Sequence, residues 1–278
     1  LDETALKTIV ESCSSCTTEF ENIPFKTLEI LEKKIEVYPK SNALKITQNR
    51  ILEKGFLKKI DIPTTEYYEI KSKEELSSLE EIKNWPYIIK TSTFGYDGKG
   101  QIIVNNYEEL KIAYEELGSN KFILEKKVAL KKEVSQVAAS YKNNITYLPI
   151  SENIHINNIL HKSIVPADID NRTTEIIKNI TEKIIKNLNY GGIICIEFFI
   201  DKNENILVNE IAPRTHNSGH YSIEGCDVSQ FEHQVNILTN RISENSNLKI
   251  PSVMITILGD LWEKNDPDFK KNKSENIY

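Results

Sequence analysis

Glycine is scarce in this chain, with ten in 278 residues, and arginine scarcer, with four against 31 lysines. Basic excess is missing altogether: the net charge of −6 excludes a general nucleic-acid or membrane surface, which needs a broad positive field. No apolar run approaches the ~20 residues of a membrane span, and no signal peptide is visible. The four cysteines make no disulfide framework. Cys13 and Cys16 have C-x-x-C spacing, yet no second pair completes a zinc site, and a reducing cytoplasm follows. Three catalytic signatures are also absent: the G-x-x-x-x-G-K-[ST] phosphate loop, the H-E-x-x-H zinc helix and the G-x-S-x-G elbow. Internal repeats are absent too.

What is present is an ordinary globular composition, 39% hydrophobic and 27% charged, at a length that suggests two domains. The first part alternates elements: helix 3–12, strand 16–20, helix 25–34, a helix capped by Thr47 and running to about Lys59, strand 66–70, helix 71–82 and strand 86–91. That is an α/β pattern. A glycine loop then leads to strand 101–104, helix 106–117 and strand 121–125. Strands 133–141 and 145–149, joined at Asn143-Asn144, and shorter strands at His155 and 159–165 follow. The longest helix, 171–188, carries Ile176, Ile177, Ile180, Ile184, Ile185 and Leu188 as one core-facing stripe. A last helix at 229–238 puts His233 in packing or at the surface.

The chemistry concentrates in three places. Residues 209–220 begin as a strand and become an irregular loop holding Arg214, His216, Asn217, Ser218 and His220, with Pro213 and Gly219 suited to a non-repeating shape. Upstream, residues 193–200 read as a buried strand interrupted by Glu197. If residues 202–205 close a four-residue hairpin, Glu197 faces Glu210, and two like charges so placed call for a divalent cation. This predicts a magnesium site. Second, Gly95, Gly98 and Gly100 cluster with Tyr96, Asp97, Lys99 and Gln101 in a loop that either cradles phosphate or simply turns a hairpin. Lys90, at the end of an apolar strand five residues earlier, is placed to reach the same phosphates or to snorkel to solvent. Third, Glu125, Lys126, Lys127 and Val128 end another apolar strand and offer backbone groups to an adenine ring, with Glu133 near for ribose hydroxyls; a plain charged strand end is the alternative. Arg50 and Arg214 are flagged by arginine's rarity and its bidentate fork. His155 and His161 lie on strands without local partners.

Together, residues 18–22, 48–50, Lys90, 95–101 and 209–224 closely resemble the PurK family, the ATP-grasp 5-(carboxyamino)imidazole ribonucleotide synthases of purine biosynthesis. The similarity spans nearly the whole chain. It implies an ATP-grasp fold, α/β overall and α+β in the ATP-grasp part, with a partial N-terminal α/β domain at 1–43. The ATP-grasp domain would run over 44–250, its small lobe about 63–125 and its large lobe about 126–250, and a truncated C-terminal β-domain would begin at 251–278. The implied reaction is ATP- and bicarbonate-dependent carboxylation of aminoimidazole ribonucleotide through carboxyphosphate.

Carried over by resemblance, ATP would be held by Arg50, Lys90, the Gly95 to Gln101 loop, Glu125 to Val128, Glu133, His155, Asn209 and Glu210. Magnesium would bridge Glu197 and Glu210. Glu19, Tyr96, Asp97, Arg214 and Ser218 would bind the ribonucleotide, and Arg214, His216 and Asn217 would act on the carboxyphosphate. A cytoplasmic homodimer is implied, with small-molecule substrates and neither nucleic acid nor membrane as partner. The Leu1 start and the polar run 266–276 suggest a piece of a longer protein, lacking the glycine-rich turn and the basic β-domain that hold the ribonucleotide phosphate. A formate-dependent glycinamide ribonucleotide transformylase and a non-catalytic nucleotide-binding module are the alternatives.

Overall fold

The computed structural model describes residues 2–93, 100–118, 121–241 and 245–257. The N-terminal part is α1 (Glu3–Ser12), β1 (Ser15–Thr17), α2 (Phe25–Leu31), β2 (Glu36–Tyr38), α3 (Ser41–Thr47) and α4 (Arg50–Lys59). β1 and β2 pair in parallel, and Leu6, Leu28, Leu31, Val37 and Leu44 form the core beneath them. The helix expected to start at Thr47 starts instead after Asn49. Thr47 ends α3, its hydroxyl bonded back to Ala43 O, whereas Asn49 Oδ1 accepts from the amides of Ile51 and Leu52. Asparagine is the stronger N-cap, so the cap competition goes to the later residue.

The next unit is a four-stranded antiparallel sheet in the order β3-β6-β4-β5, built from β3 (Tyr67–Ile70), β4 (Tyr87–Thr91), β5 (Gln101–Val104) and β6 (Phe122–Lys126). α5 (Lys73–Ser77) and α6 (Tyr107–Leu117) cover one face over Ile70, Tyr87, Ile89, Val104, Leu110 and Phe122. The helix expected over 71–82 shrinks to α5, because of that charged stretch only Leu76 and Leu79 are buried, with Ile82 packed at the edge of the core.

The large sheet has seven strands, ordered β12-β11-β7-β9-β10-β13 with β8 paired to β7. They are β7 (Leu130–Tyr141), β8 (Asn144–Tyr147), β9 (Ser151–Ile156), β10 (Ile159–Val165), β11 (Gly192–Asp201), β12 (Ile206–Ala212) and β13 (Ser252–Ile255). Between β7 and β8 the turn falls on Lys142-Asn143, both at positive φ, one residue before the expected Asn143-Asn144. α7 (Asn171–Leu188) lays Ile177, Ile180, Ile184, Ile185 and Leu188 against Ile194, Ile196 and Phe198 of β11. The alternate residues of β11, Cys195 and Glu197 among them, therefore face the other side. A 3-10 turn (Asn217–Gly219), α8 (Ser222–Gly225) and α9 (Gln230–Leu238) follow β12. His233, on α9, is fully buried. β13 joins the large sheet beside β10.

Candidate active site

Glu197 lies directly opposite Glu210, but not for the reason the sequence suggests. At the turn end the pairing is Ile200 with Ile206 and Phe198 with Val208, one residue short of the register that an uninterrupted hairpin would need. A β-bulge at Asn209 then supplies the missing residue, and the ladder resumes with Glu197 against Glu210 and Cys195 against Ala212. The bulge also lets both Val208 and Ile211, three apart, enter the same core. Glu197 is 13% exposed at its side chain, while Glu210 is open to solvent. Solvent thus reaches one carboxylate of the pair freely and the other hardly at all.

Burial, with the charge of Glu210 next to it, pushes the Glu197 carboxyl up to about 8. A carboxylate pair so short of positive charge fits a hard divalent cation. Among the described residues no group of three or more histidine, cysteine, aspartate or glutamate side chains forms a metal cage. Two carboxylates are as many as magnesium needs from a protein, since it takes one or two and completes its shell with phosphate oxygens and water.

His216 touches this pair, its Nε2 standing 3.3 Å from Glu197 Oε1. Nδ1 accepts from the Ser218 amide and lies 2.8 Å from Ser218 Oγ, so the ring proton belongs on Nε2, aimed at Glu197. Burial, reinforced by the positive charge of Arg214, lowers the His216 pKa to about 3 and keeps the ring neutral. The ring's backbone is fixed by fully buried Gln230, which accepts from His216 N and donates to His216 O. Gly219 makes that clamp possible, since a Cβ there would come within 2.7 Å of Gln230 Oε1. Ser218 is fully buried and its hydroxyl is turned toward His216 and Cys195, not toward an open surface. Asn217 is exposed beside it.

Arg214 is held by Glu21, with Nη2 2.8 Å from Oε1. Burial raises the Glu21 carboxyl, against the pull of that guanidinium. Glu19, the residue expected to meet substrate, is exposed, and its charge is felt by His220. Glu133 and His155 approach to 2.6 Å on β7 and β9, on the same face as Glu197. Burial opposes charge on His155, but Glu133, Glu197 and Glu210 outweigh it and raise the pKa.

A second cluster forms where the two sheets meet. Glu125, buried on β6, takes Lys90 Nζ at 2.6 Å and Lys54 Nζ at 3.8 Å. Burial works to raise this carboxyl, yet Lys90 and Lys54 hold it at about 2. Arg50 adds its charge to Glu125, Glu53 and Glu21. The Glu125 side chain therefore anchors cations, and the amides of Lys126 and Lys127 already donate to Glu66 O and Pro86 O. Gly95, Tyr96, Asp97, Gly98 and Lys99 lie outside the described residues. Gly100, at φ +72° with Thr91 Oγ1 2.7 Å from where a Cβ would sit, is a position that only glycine suits.

Four participants went unread in the sequence: Glu53, Lys54, Thr64 and Gln230. Arg50, Glu53 and Lys54 stand at i, i+3 and i+4 of one helix, and that charged stripe was the available signal. One lysine in 31 does not otherwise advertise burial.

The sequence model of the ATP-grasp domain matches residues 55–231, and that of the ribonucleotide synthetase preATP-grasp domain matches 1–48. An N5-carboxyaminoimidazole ribonucleotide synthase of Staphylococcus aureus (strain COL) is 38% identical over 279 residues, covering 100% of this chain and 74% of the relative. The chain belongs to the N5-carboxyaminoimidazole ribonucleotide synthase family of ATP-grasp enzymes. Among solved members of this family, the Staphylococcus aureus synthetase complexed with ADP superposes with a TM-score of 0.88 at 39% identity, over 94% of this chain and 71% of that one. The Aspergillus clavatus synthase complexed with ATP gives 0.84 at 26% identity, over 91% and 68%. Lys90 and Glu125 of the small sheet and Lys54 of α4, whose ammonium also holds Asn209 O of the large sheet, form one seam. Among the described residues, no helix is long and apolar enough to cross a membrane.

Proposed function

We infer that this chain is an ATP-dependent carbon–nitrogen ligase that carboxylates 5-aminoimidazole ribonucleotide to its N5-carboxy derivative in purine biosynthesis. One observation carries the reading: Glu197 and Glu210 face each other on paired strands, and the strand that bears Glu210 runs directly into the Arg214–His216 loop, whose imidazole meets Glu197. In the proposed arrangement Lys90, Arg50 and residues 95–101 face the triphosphate. The carbonyls of residues 125–128, with Glu133 and His155, serve the nucleoside, and Asn209 with Glu210 lies beside the phosphates. Magnesium, when held by Glu197 and Glu210, supplies the charge that neutralises the phosphate oxygens.

Bicarbonate oxygen attacks the γ-phosphorus and ADP leaves; the amine nitrogen then takes the carboxyl carbon of carboxyphosphate, the carbon–oxygen bond to phosphate breaks, and the departing phosphate carries off the amine proton. Arg214, a cation held by Glu21, and His216, a neutral N–H donor, are the groups proposed to stabilise charge on that intermediate, with exposed Asn217 alongside. Ser218 acts through His216, and Glu19, Tyr96, Asp97 and Arg214 are assigned to the ribonucleotide. A bicarbonate-using homodimer in the cytoplasm, divided near residues 43 and 250, completes the proposal.

The test is ADP release by this chain with each substrate omitted in turn. Release that requires both bicarbonate and aminoimidazole ribonucleotide supports the reading. Stimulation by formate in place of bicarbonate, or ATP binding without turnover, overturns it. Glu210→Gln is expected to lower that release at least about 100-fold, a loss of several kcal/mol of charge stabilisation.

A further inference from the structure

The bulge that brings Glu210 opposite Glu197 sits on the outermost strand of the large sheet, whose outer edge meets, among the described residues, no named strand and only an isolated bridge from Thr64 to Val208. An unpaired edge beside an irregular residue is where register is least protected. A slip of one residue would turn Asn209 toward Glu197 and send Glu210 to the core face. Four outward-facing groups of this edge are nevertheless occupied. Val208 N donates to Pro63 O at 2.8 Å, and Val208 O accepts from Thr64 Oγ1 at 2.8 Å. Asn209 O accepts from Lys54 Nζ at 2.8 Å, and Ile211 N donates to Glu53 Oε2 at 3.0 Å. Lys54 Nζ also donates to Thr64 Oγ1 at 2.6 Å, so the hydroxyl must point its own proton at Val208 O.

Neighbouring residues of α4 thus grip the bulge, Lys54 as donor to Asn209 O and, at 3.4 Å, to Val208 O, and Glu53 as acceptor from Ile211 N beyond it. Both are almost wholly buried, Lys54 at 1% and Glu53 at 3% exposure, which is rare for these residue types unless the groups are paired. The same ammonium lies 3.8 Å from Glu125, whose other oxygen holds Lys90.

We propose that Lys54, with Glu53 and Thr64, is a positioning residue that locks the Asn209 bulge and thereby sets both the carboxylate pair and the Lys90 ammonium from one buried point. This rests on the reading of Glu197 and Glu210 as the metal-holding pair, and it deepens that reading. Neither Lys54 nor Thr64 needs to touch ATP, ribonucleotide or metal for the effect.

The variants are Lys54→Met, which keeps the stem but drops the ammonium, Thr64→Val, which keeps the volume but drops the hydroxyl, and Thr64→Ser, which restores it. Two readouts apply to the purified chain: Mn2+ binding in the presence of ADP by electron paramagnetic resonance, and amide hydrogen exchange in metal-free protein. Folded Lys54→Met and Thr64→Val are expected to weaken Mn2+ binding by about ten-fold or more, as loss of a partner behind a metal ligand does. Exchange at Glu210 and Ile211 will rise while α7 keeps its protection, and Thr64→Ser will stay close to the parent in both. Parent-like Mn2+ affinity and parent-like exchange over 206–212 in the folded variants overturn the proposal. If Lys54→Met does not fold, the Thr64 pair decides on the same criteria. A parent chain that binds no Mn2+ with ADP would instead sink the metal reading, and the exchange arm would still judge the clamp.

Discussion

At the scale of single residues, Glu53 offers the plainest handle on pH. Burial, opposed by Lys54 and aided by Glu210, raises its carboxyl from the ordinary 4.5 to about 8. Between those values the unfolded chain gives up this proton and the folded chain keeps it. Stability therefore falls as pH rises through the window, with the penalty complete above it. Glu53→Gln keeps an oxygen for the Ile211 amide and removes the titration. Urea unfolding at pH 6 and pH 8 is expected to show a smaller loss on going to pH 8 in the variant than in the parent. Sequence reading singles out the residues whose type alone is suggestive: Glu197, Glu210, Arg214, His216 and Lys90. It passed over Glu53, Lys54, Thr64 and Gln230, because a buried lysine or glutamine looks like any surface one until its partners are known. Those partners are distant in the chain: Lys54 reaches Asn209 and Gln230 reaches His216.

Elements were legible wherever a periodic pattern ran long enough to average out local noise. Glu3–Ser12, Gln101–Val104 and Asn171–Leu188 were read at their observed limits, and the α7 stripe packs as its spacing requires, with Ile176 at the margin. Boundaries set by one polar atom were less accessible. Thr47 and Asn49 are both credible caps, and only the back-bond from Thr47 to Ala43 O decides between them. Asn49→Ala is accordingly expected to destabilise the chain by about 1 kcal/mol, read as a shift in urea midpoint at unchanged slope. Thr47→Ala at the rejected position will cost less. The short pieces β2, α3, α8 and β13 carry too few residues for any period to show, and they went unread. The Glu197–Glu210 pairing came out right through two offsetting errors, a turn one residue shorter than assumed and a bulge that was not foreseen.

On the scale of the whole molecule, the buried charges at the seam between the sheets matter most. Glu125 belongs to the small sheet, Lys54 to the helix that braces the large one, and the carboxylate sits between two ammonium groups. Removing the one anion leaves Lys54 buried with its charge poorly answered. Glu125→Gln is therefore expected to cost about 3–5 kcal/mol, measured by urea denaturation, and to weaken ATP binding as Lys90 loses its anchor. A change of only a few tenths of a kcal/mol would show that the seam carries little of the stability. The general architecture followed from strand and helix alternation together with the motif resemblance. The seam did not, because its members are scattered over positions 54, 90 and 125 and meet only once both sheets have formed.

The hairpin between β11 and β12 keeps its tip and its working end on separate footings. Since the offset near Asp201 is cancelled at Asn209, and Asn209 is tethered from α4, the length of the 202–205 connection is free to vary without moving either carboxylate. Insertions or shortenings among descendants of this sequence can accumulate at that outer corner, and a reporter peptide grafted there would leave the chemistry intact. The enzyme's tolerance for change is greatest a few residues from the place where it has least.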